Sequence, residues 1–265
     1  MTEKEKLKEI DFWSRNPCGT DGKLYKVMEH RYRMEPWLQN ELETIPTEHE
    51  RYLEIGCGQG ADSFYICKNL NQRAKYSSID YSPESVRRAS SFIDEAKELF
   101  DLNTIPEFIL GNALSLGFNN EEFDFIYSLG VLHHTPDPQK AIDEIYRVLK
   151  LGGQAKIFLY RKYSLKVGVA KFFRLLQAFG DKLLSKDRFI YTMLNQKKSD
   201  YFGSMFLECF GVPWMECYSR SELENMFKEF GSVSIEPYGF NLPIFSNSVN
   251  GHNALGYFFK IDVTK

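Results

Sequence analysis

The stretch Glu54-Ile55-Gly56-Cys57-Gly58-Gln59-Gly60 decides the fold. It follows the short apolar strand Arg51 to Ile55 and leads into a helical stretch from Ala61 to Leu70. Gly56, Gly58 and Gly60 let the backbone turn tightly and come close to a ligand, and the helix behind them offers free N–H groups. A nucleotide-type ligand fits such a loop in two ways. Gly56-x-Gly58-x-x-Ala61 meets the dinucleotide fingerprint, which tolerates Ala at its third place. Asp80 lies 24 residues beyond Gly56, at the end of the next apolar run, where a carboxylate can accept both hydroxyls of a ribose. That would serve either kind of cofactor.

Outward from the loop, strands and helices alternate. Lys75 to Asp80 reads as a second strand. Ser82-Pro83-Glu84 opens a helix running to about Phe100: Ser caps it, Pro suits the first helical position, and Glu suits the positive end of the dipole. Glu107 to Leu110 and Phe123 to Ser128 are the third and fourth strands. Asp137-Pro138 caps a further helix with Ala141, Ile142, Ile145, Val148 and Leu149 on one face, closed by Gly152-Gly153, and Gln154 to Tyr160 is a fifth strand. Ser219-Arg220-Ser221-Glu222 is a capping box, opening a helix with Leu223, Met226, Phe227 and Phe230 on one face. Val233 to Glu236 and Gly256 to Val263 complete the set. The expected fold is α/β: a doubly wound, mostly parallel, seven-stranded sheet with ligands outside the carboxyl ends of its strands. Four segments are expected: an N-terminal helical segment over 1–48, the cofactor-binding core over 49–162, a helical insertion after strand five over 163–217, and the rest of the core sheet over 218–265.

Three features separate the two cofactor readings. Glu54 beside the loop would repel a pyrophosphate but suits the ammonium end of a methionine moiety. Gly111-Asn112-Ala113 ends strand three, where a side-chain amide meets an adenine amino group. Ser128-Leu129-Gly130-Val131-Leu132-His133-His134-Thr135-Pro136-Asp137-Pro138 follows strand four and leads to Arg147-Val148-Leu149-Lys150-Leu151-Gly152-Gly153.

With these motifs the sequence resembles the class I S-adenosylmethionine-dependent methyltransferases, especially the group around the ubiquinone/menaquinone methyltransferases, over about residues 51–162 and 218–265. The resemblance implies a Rossmann-like methyltransferase fold and S-adenosylmethionine as cofactor. It implies that Gly56, Cys57 and Gly58 line the methionine moiety and ribose, with Gly60 completing the loop. Asp80 would hold the ribose hydroxyls, Tyr81 would lie beside the adenine, Asn112 and Ala113 would meet its edge, and Leu129 would lie near the methionine moiety. Two positions depart from the family pattern: Asn112, where Asp is commoner, and Leu151, where Pro is commoner.

Methyl transfer from a sulfonium rests on proximity and orientation, with a base added when the nucleophile carries a proton. His133 and His134 are the base candidates, because a histidine titrates near neutrality. No ligand cluster suggests a metal. In the N-terminal segment Tyr25, Met28 and Tyr32 share a face before Pro36-Trp37. Arg33 or Arg31 is positioned to pair with the cofactor carboxylate, the alternative being a helix packed on the sheet edge with solvated arginines.

The chain has 265 residues, 43% of them apolar, with 22 Phe and 15 Tyr, enough for one α/β domain with an elaboration. Its net charge of −3 is unevenly spread: residues 161–200 hold ten Lys or Arg against three Asp, a local balance of +7. Leu165, Val169, Phe172, Phe173, Leu176 and Phe179 recur there at helical spacing, a basic amphipathic helix. It reads as a substrate lid, as a helix lying on a membrane surface, or as a surface for an acidic or nucleic-acid partner. The acceptor is expected to be a small molecule, lipid-like compound or peptide, with O or N as the acceptor atom. A nucleic-acid substrate is disfavoured, since no Asn/Asp-Pro-Pro-aromatic motif follows strand four. Met1 to Ile10 lack the apolar run of a signal peptide, and no apolar segment reaches the ~20 residues of a membrane span. Cys18, Cys57, Cys67, Cys209 and Cys217 form no C-x-x-C pair, as expected of free thiols in a cytoplasmic protein. A nicotinamide-dependent oxidoreductase and a non-catalytic protein on the same fold are the alternatives.

Overall fold

The structure is a computed structural model that describes residues 13, 22–184, 215–239 and 251–265. Its centre is β1 (Arg51–Ile55), which pairs in parallel with β2 (Lys75–Asp80) on one side and β4 (Phe123–Leu129) on the other. β3 (Glu107–Leu110) extends the sheet beyond β2, and β5 (Leu149–Tyr160) lies beyond β4, both parallel. β7 (Phe258–Thr264) inserts antiparallel between β5 and β6 (Ser232–Tyr238). The order is therefore β3-β2-β1-β4-β5-β7-β6. The expectation of a mostly parallel sheet holds for the first five strands, while β7 makes the whole sheet mixed.

Both faces of the sheet are covered, so the strands alternate between two cores rather than between core and solvent. On one face Tyr52, Tyr127, Phe158 and Tyr160 pack under α1 (Leu24–Met34), α2 (Leu38–Leu42) and α3 (Ala61–Cys67). On the other, Leu53, Ile55, Ile157 and Leu159 pack under α6 (Pro138–Val148) and α8 (Arg220–Met226). α6 buries Ala141, Ile142, Ile145 and Val148, and Asp137 caps it by accepting from the Lys140 N–H at 3.0 Å. Ser219 and Glu222 form the expected capping box on α8.

Four local expectations change. The helix expected over 82–100 divides at Phe92 into α4 (Pro83–Ser91) and α5 (Ile93–Leu99). The hydroxyls of Ser90 and Ser91 donate to the carbonyls of Val86 and Arg88, competing with main-chain donors where the helix ends. β5 begins at Leu149 rather than Gln154, because Leu149 already pairs with Phe123; Gly152-Gly153 lies within the strand rather than ending α6. The buried face of α1 is Leu24, Val27 and Met28, leaving Tyr25 48% exposed. The final strand starts at Phe258, two residues later than expected.

α7 (Leu165–Leu184) leaves the carboxyl end of β5. The chain returns there at Tyr218, whose N–H donates to the Tyr160 carbonyl at 2.9 Å and whose carbonyl accepts from the Lys162 N–H at 2.8 Å. Deeper in the sheet, Glu41 of α2 is buried and ion-paired with the buried Lys156 of β5, and it accepts the Tyr238 hydroxyl. Burial alone would raise the Glu41 carboxyl, but Lys156 holds it below its ordinary value.

Candidate active site

The glycine loop is tied to the neighbouring strand. The Ile79 carbonyl accepts from the Gly56 N–H at 2.8 Å and the Cys57 N–H at 3.0 Å. Gly56 has φ +84°, and a Cβ there would overlap the Val131 methyls beyond β4, so the position demands glycine on both counts. Gly60, at φ +82°, would set a Cβ 2.9 Å from the Phe108 ring.

Asp80 closes the loop from the end of β2. One carboxylate oxygen accepts from the Gly58 N–H at 2.8 Å and the other from the Ser82 N–H at 2.9 Å. Burial pushes its carboxyl up, and these backbone donors oppose the rise without cancelling it. The Ser85 hydroxyl and the Tyr81 N–H also donate to this carboxylate. The Asp80 carbonyl also accepts from the Gly111 N–H at 2.9 Å, which brings Asn112 and Ala113 to the same edge. Ser128 donates to the Ile55 carbonyl at 3.0 Å, joining the end of β4, with Leu129 and Val131, to the start of the loop. Ala113 and Leu129 are buried, and Tyr81 is half-buried.

His133 and His134 lie in a single 3-10 turn after β4 (Leu132–His134). His133 is fully buried, its ring centroid 4.0 Å from Tyr160 and 4.2 Å from His134, and neither ring nitrogen has a hydrogen-bond partner. Burial first, then His134 and Lys166, hold its pKa well below the usual histidine range, so the imidazole is neutral at pH 7. The His134 ring stands 5.3 Å from that of Trp13. Together the pair forms an aromatic wall against the ends of β5 and β7.

Two expected ligands, Glu54 and Asn112, have other engagements, and a third, Arg33, points to solvent. The Glu54 side chain points into the core beneath the loop, because β1 alternation places it on the Tyr52 face. It accepts the hydroxyls of Ser63, Tyr76 at 3.1 Å and Ser78 at 3.2 Å, and so does not face a cofactor ammonium. Arg33 is exposed; Arg31, one half-turn back, instead reaches Asp62 in the first turn of α3 at 2.7 Å, with a second contact at 3.3 Å. The Asn112 carbonyl oxygen accepts from the Leu114 N–H at 2.9 Å, an Asx turn that occupies one of its two lone pairs. Cys57 is buried, and burial pushes its thiol well up, as suits a space-filling residue rather than a nucleophile. Among the described residues no cluster of His, Cys, Asp and Glu has the makings of a metal site.

The site also contains residues that the sequence reading passed over. The Gln59 side-chain amide is buried with neither its nitrogen nor its oxygen partnered, an orphaned polar group within the loop itself. It occupied a spacer position between glycines and carried no signal of its own. Asp62 joins Arg31 to Tyr127, whose hydroxyl stands 3.3 Å away; contacts 31 and 65 residues apart in sequence leave no local pattern.

Glu54 makes one consequence measurable. Burial, reinforced by the charge of Asp62, raises its carboxyl to about 7, against its partners' hydrogen bonds. The folded protein thus keeps a proton that the unfolded chain releases near the ordinary 4.5. The penalty is absent below that pH, grows as pH rises to about 7 and is constant above, totalling about 3 kcal/mol at ~1.4 kcal/mol per pKa unit. Denaturant unfolding of Glu54→Gln against the parent should show the variant gaining by about that amount between about pH 4 and about pH 8. An equal difference at both pH values would mean that Glu54 does not titrate in this window.

Comparison with known proteins follows the same site. The methyltransferase-domain family matches residues 53–157, from within β1 into β5. Rat (Rattus norvegicus) arsenite methyltransferase is 29% identical over 111 residues, covering 40% of this chain and 30% of that protein. The demethylmenaquinone methyltransferase of Oceanobacillus iheyensis is 24% identical over 238 residues, covering 83% of this chain and 91% of that protein. The chain thus spans less than a third of the first relative and nearly all of the second. A SAM-dependent methyltransferase structure from Thermotoga maritima superposes with a TM-score of 0.58 at 17% identity, covering 89% of this chain and 94% of that one, a likeness of fold.

Proposed function

We propose that the chain is a class I S-adenosylmethionine-dependent methyltransferase that methylates an O–H or N–H group of a small, largely apolar acceptor. The observation that carries this reading is His133: a buried, neutral imidazole with both nitrogens unpartnered, two residues beyond the Val131 that packs on the cofactor loop.

The residues present fit the cofactor. Asp80, at the end of β2, would accept ribose hydroxyls by exchange with the Ser85 hydroxyl or the Tyr81 N–H, and the Gln59 amide is a buried polar group in want of a partner. The second lone pair of Asn112 suits an adenine amino group, beside Ala113 and Tyr81. Gly56, Cys57, Gly58, Gly60 and Leu129 would bound the methionine moiety. Arg31, rather than Arg33, is the cation best placed for its carboxylate, by exchange from Asp62. S-adenosylmethionine supplies a methyl group on a sulfonium sulfur, which departs as a neutral thioether on in-line attack.

His133 takes the acceptor's proton as its lone pair attacks, and the imidazole becomes imidazolium. A neutral base is needed for that step, and the desolvated setting keeps His133 neutral. Tyr160 and His134 hold the ring between tilted aromatic faces. The aromatic wall favours an acceptor with a flat or apolar body. The relatives named for demethylmenaquinone and for arsenite differ widely in acceptor chemistry, so the acceptor has to come from assay.

The test is calorimetric titration with S-adenosylmethionine, NAD and NADP, followed by transfer of a labelled methyl group to phenolic, hydroxylated and amine acceptors. Binding of the methyl donor alone, with transfer to a hydroxyl or amine, is the expected result. Binding of a nicotinamide cofactor instead, or transfer only to carbon, would overturn the reading. In the same titration Asp80→Ala should weaken the methyl donor about a hundredfold, since it removes two charge-assisted hydrogen bonds of about 1.5 kcal/mol each. Undiminished affinity would place the ribose elsewhere.

A further inference from the structure

α7 has its amphipathicity turned outward. Leu165, Val169, Phe172, Leu176, Phe179 and Leu183 follow one another at steps of three and four, so they form one stripe along the helix. All six are exposed, between 38% and 72%. The opposite side, with Val167, Ala170 and Gln177, is the one packed on the protein. A surface helix ordinarily buries its apolar stripe, and a row of large side chains facing water marks an interaction surface.

Charge identifies what covers it. The helix carries Lys166, Lys171, Arg174 and Lys182 against the single acid Asp181. Lys171 and Lys182 are exposed and lie one step around the helix from the stripe. An apolar stripe edged by cations suits a layer that is anionic at its surface and apolar just beneath. A second copy of the chain is a poorer occupant, because pairing two such helices sets cations against cations. No described helix is long and apolar enough to cross a membrane, and a helix this charged lies along the surface instead. We propose that α7 docks the protein on the surface of an anionic phospholipid bilayer, with the stripe from Leu165 to Leu183 inserted at the headgroup–acyl boundary. This goes beyond the methyl-transfer reading and does not depend on it.

The test is co-sedimentation of the full chain with vesicles of phosphatidylcholine alone and of phosphatidylcholine mixed with phosphatidylglycerol. Binding should favour the mixed vesicles and weaken as salt is raised. The double variant Phe172→Glu/Phe179→Glu replaces two exposed rings and should lower partitioning about tenfold or more. Its affinity for S-adenosylmethionine, read by calorimetry, should stay unchanged, which separates loss of docking from loss of fold. Failure of the parent chain to bind mixed vesicles would overturn the proposal. So would a self-associated parent, unbound by vesicles, that the double variant renders monomeric in sedimentation, since that assigns the stripe to a second copy. Vesicle binding without binding of S-adenosylmethionine would leave the docking standing and overturn the cofactor reading alone.

Discussion

His133→Ala should slow methyl transfer by about a hundredfold to ten-thousandfold at saturating cofactor and acceptor, the range a positioned general base contributes. Affinity for S-adenosylmethionine should hardly change, since Asp80 and the glycine loop are untouched. The size follows from the setting. His133 is fully buried, its ring lies against Tyr160 and His134, and its nitrogens have no partner to give up before accepting a proton. Because burial holds its pKa well below the usual range, turnover should be flat through neutral pH and fall only on acidification. A packing residue would also cost activity when truncated, so two further readouts matter. Free imidazole should restore part of the variant's rate by occupying the vacated space. The variant should also lose the acidic limb of the pH profile. Unchanged turnover, or loss that imidazole does not relieve with the acidic limb intact, would make His133 a packing residue.

Glu41→Ala should destabilise the fold by about 3–5 kcal/mol, the cost of leaving a buried partner charge uncompensated. Lys156 is buried beside Glu41, and Tyr238 and Lys260 converge on the same carboxylate. Without it, the buried Lys156 ammonium keeps only the Thr44 hydroxyl as a hydrogen-bond partner among the described residues. In a protein of this size the melting temperature should fall by roughly 10 °C. The double variant Glu41→Met/Lys156→Met should recover most of the loss, because replacing both members of a buried pair by apolar groups is often near neutral. A single variant as stable as the parent would show that Lys156 already reaches solvent. These residues join α2 to β5, β6 and β7, so the loss should appear as global unfolding.

The glycine loop and Asp80 were legible because backbone geometry is local: a left-handed turn between strand and helix leaves few choices besides glycine. The helix starts at Ser82, Asp137 and Ser219 were legible for a similar reason, since each cap spans only three residues. Arg31 was named beside Arg33, but which of them faces the protein depends on the rotation of α1 against α3, and no spacing within α1 fixes that. Glu54 was misread because it adjoins the loop in sequence, while strand alternation turns its side chain into the core.

By itself the sequence determined the order of strands and helices, the glycine loop between β1 and α3, and the family resemblance, because these rest on short-range periodicity, caps and glycine geometry. Tertiary structure decided the antiparallel placement of β7, the Arg31–Asp62 and Lys156–Glu41 pairs, the partnerless imidazole of His133 and the outward face of α7. Periodicity tells which side chains share a face; only packing against the rest of the chain decides whether that face meets the core, a ligand or the surroundings.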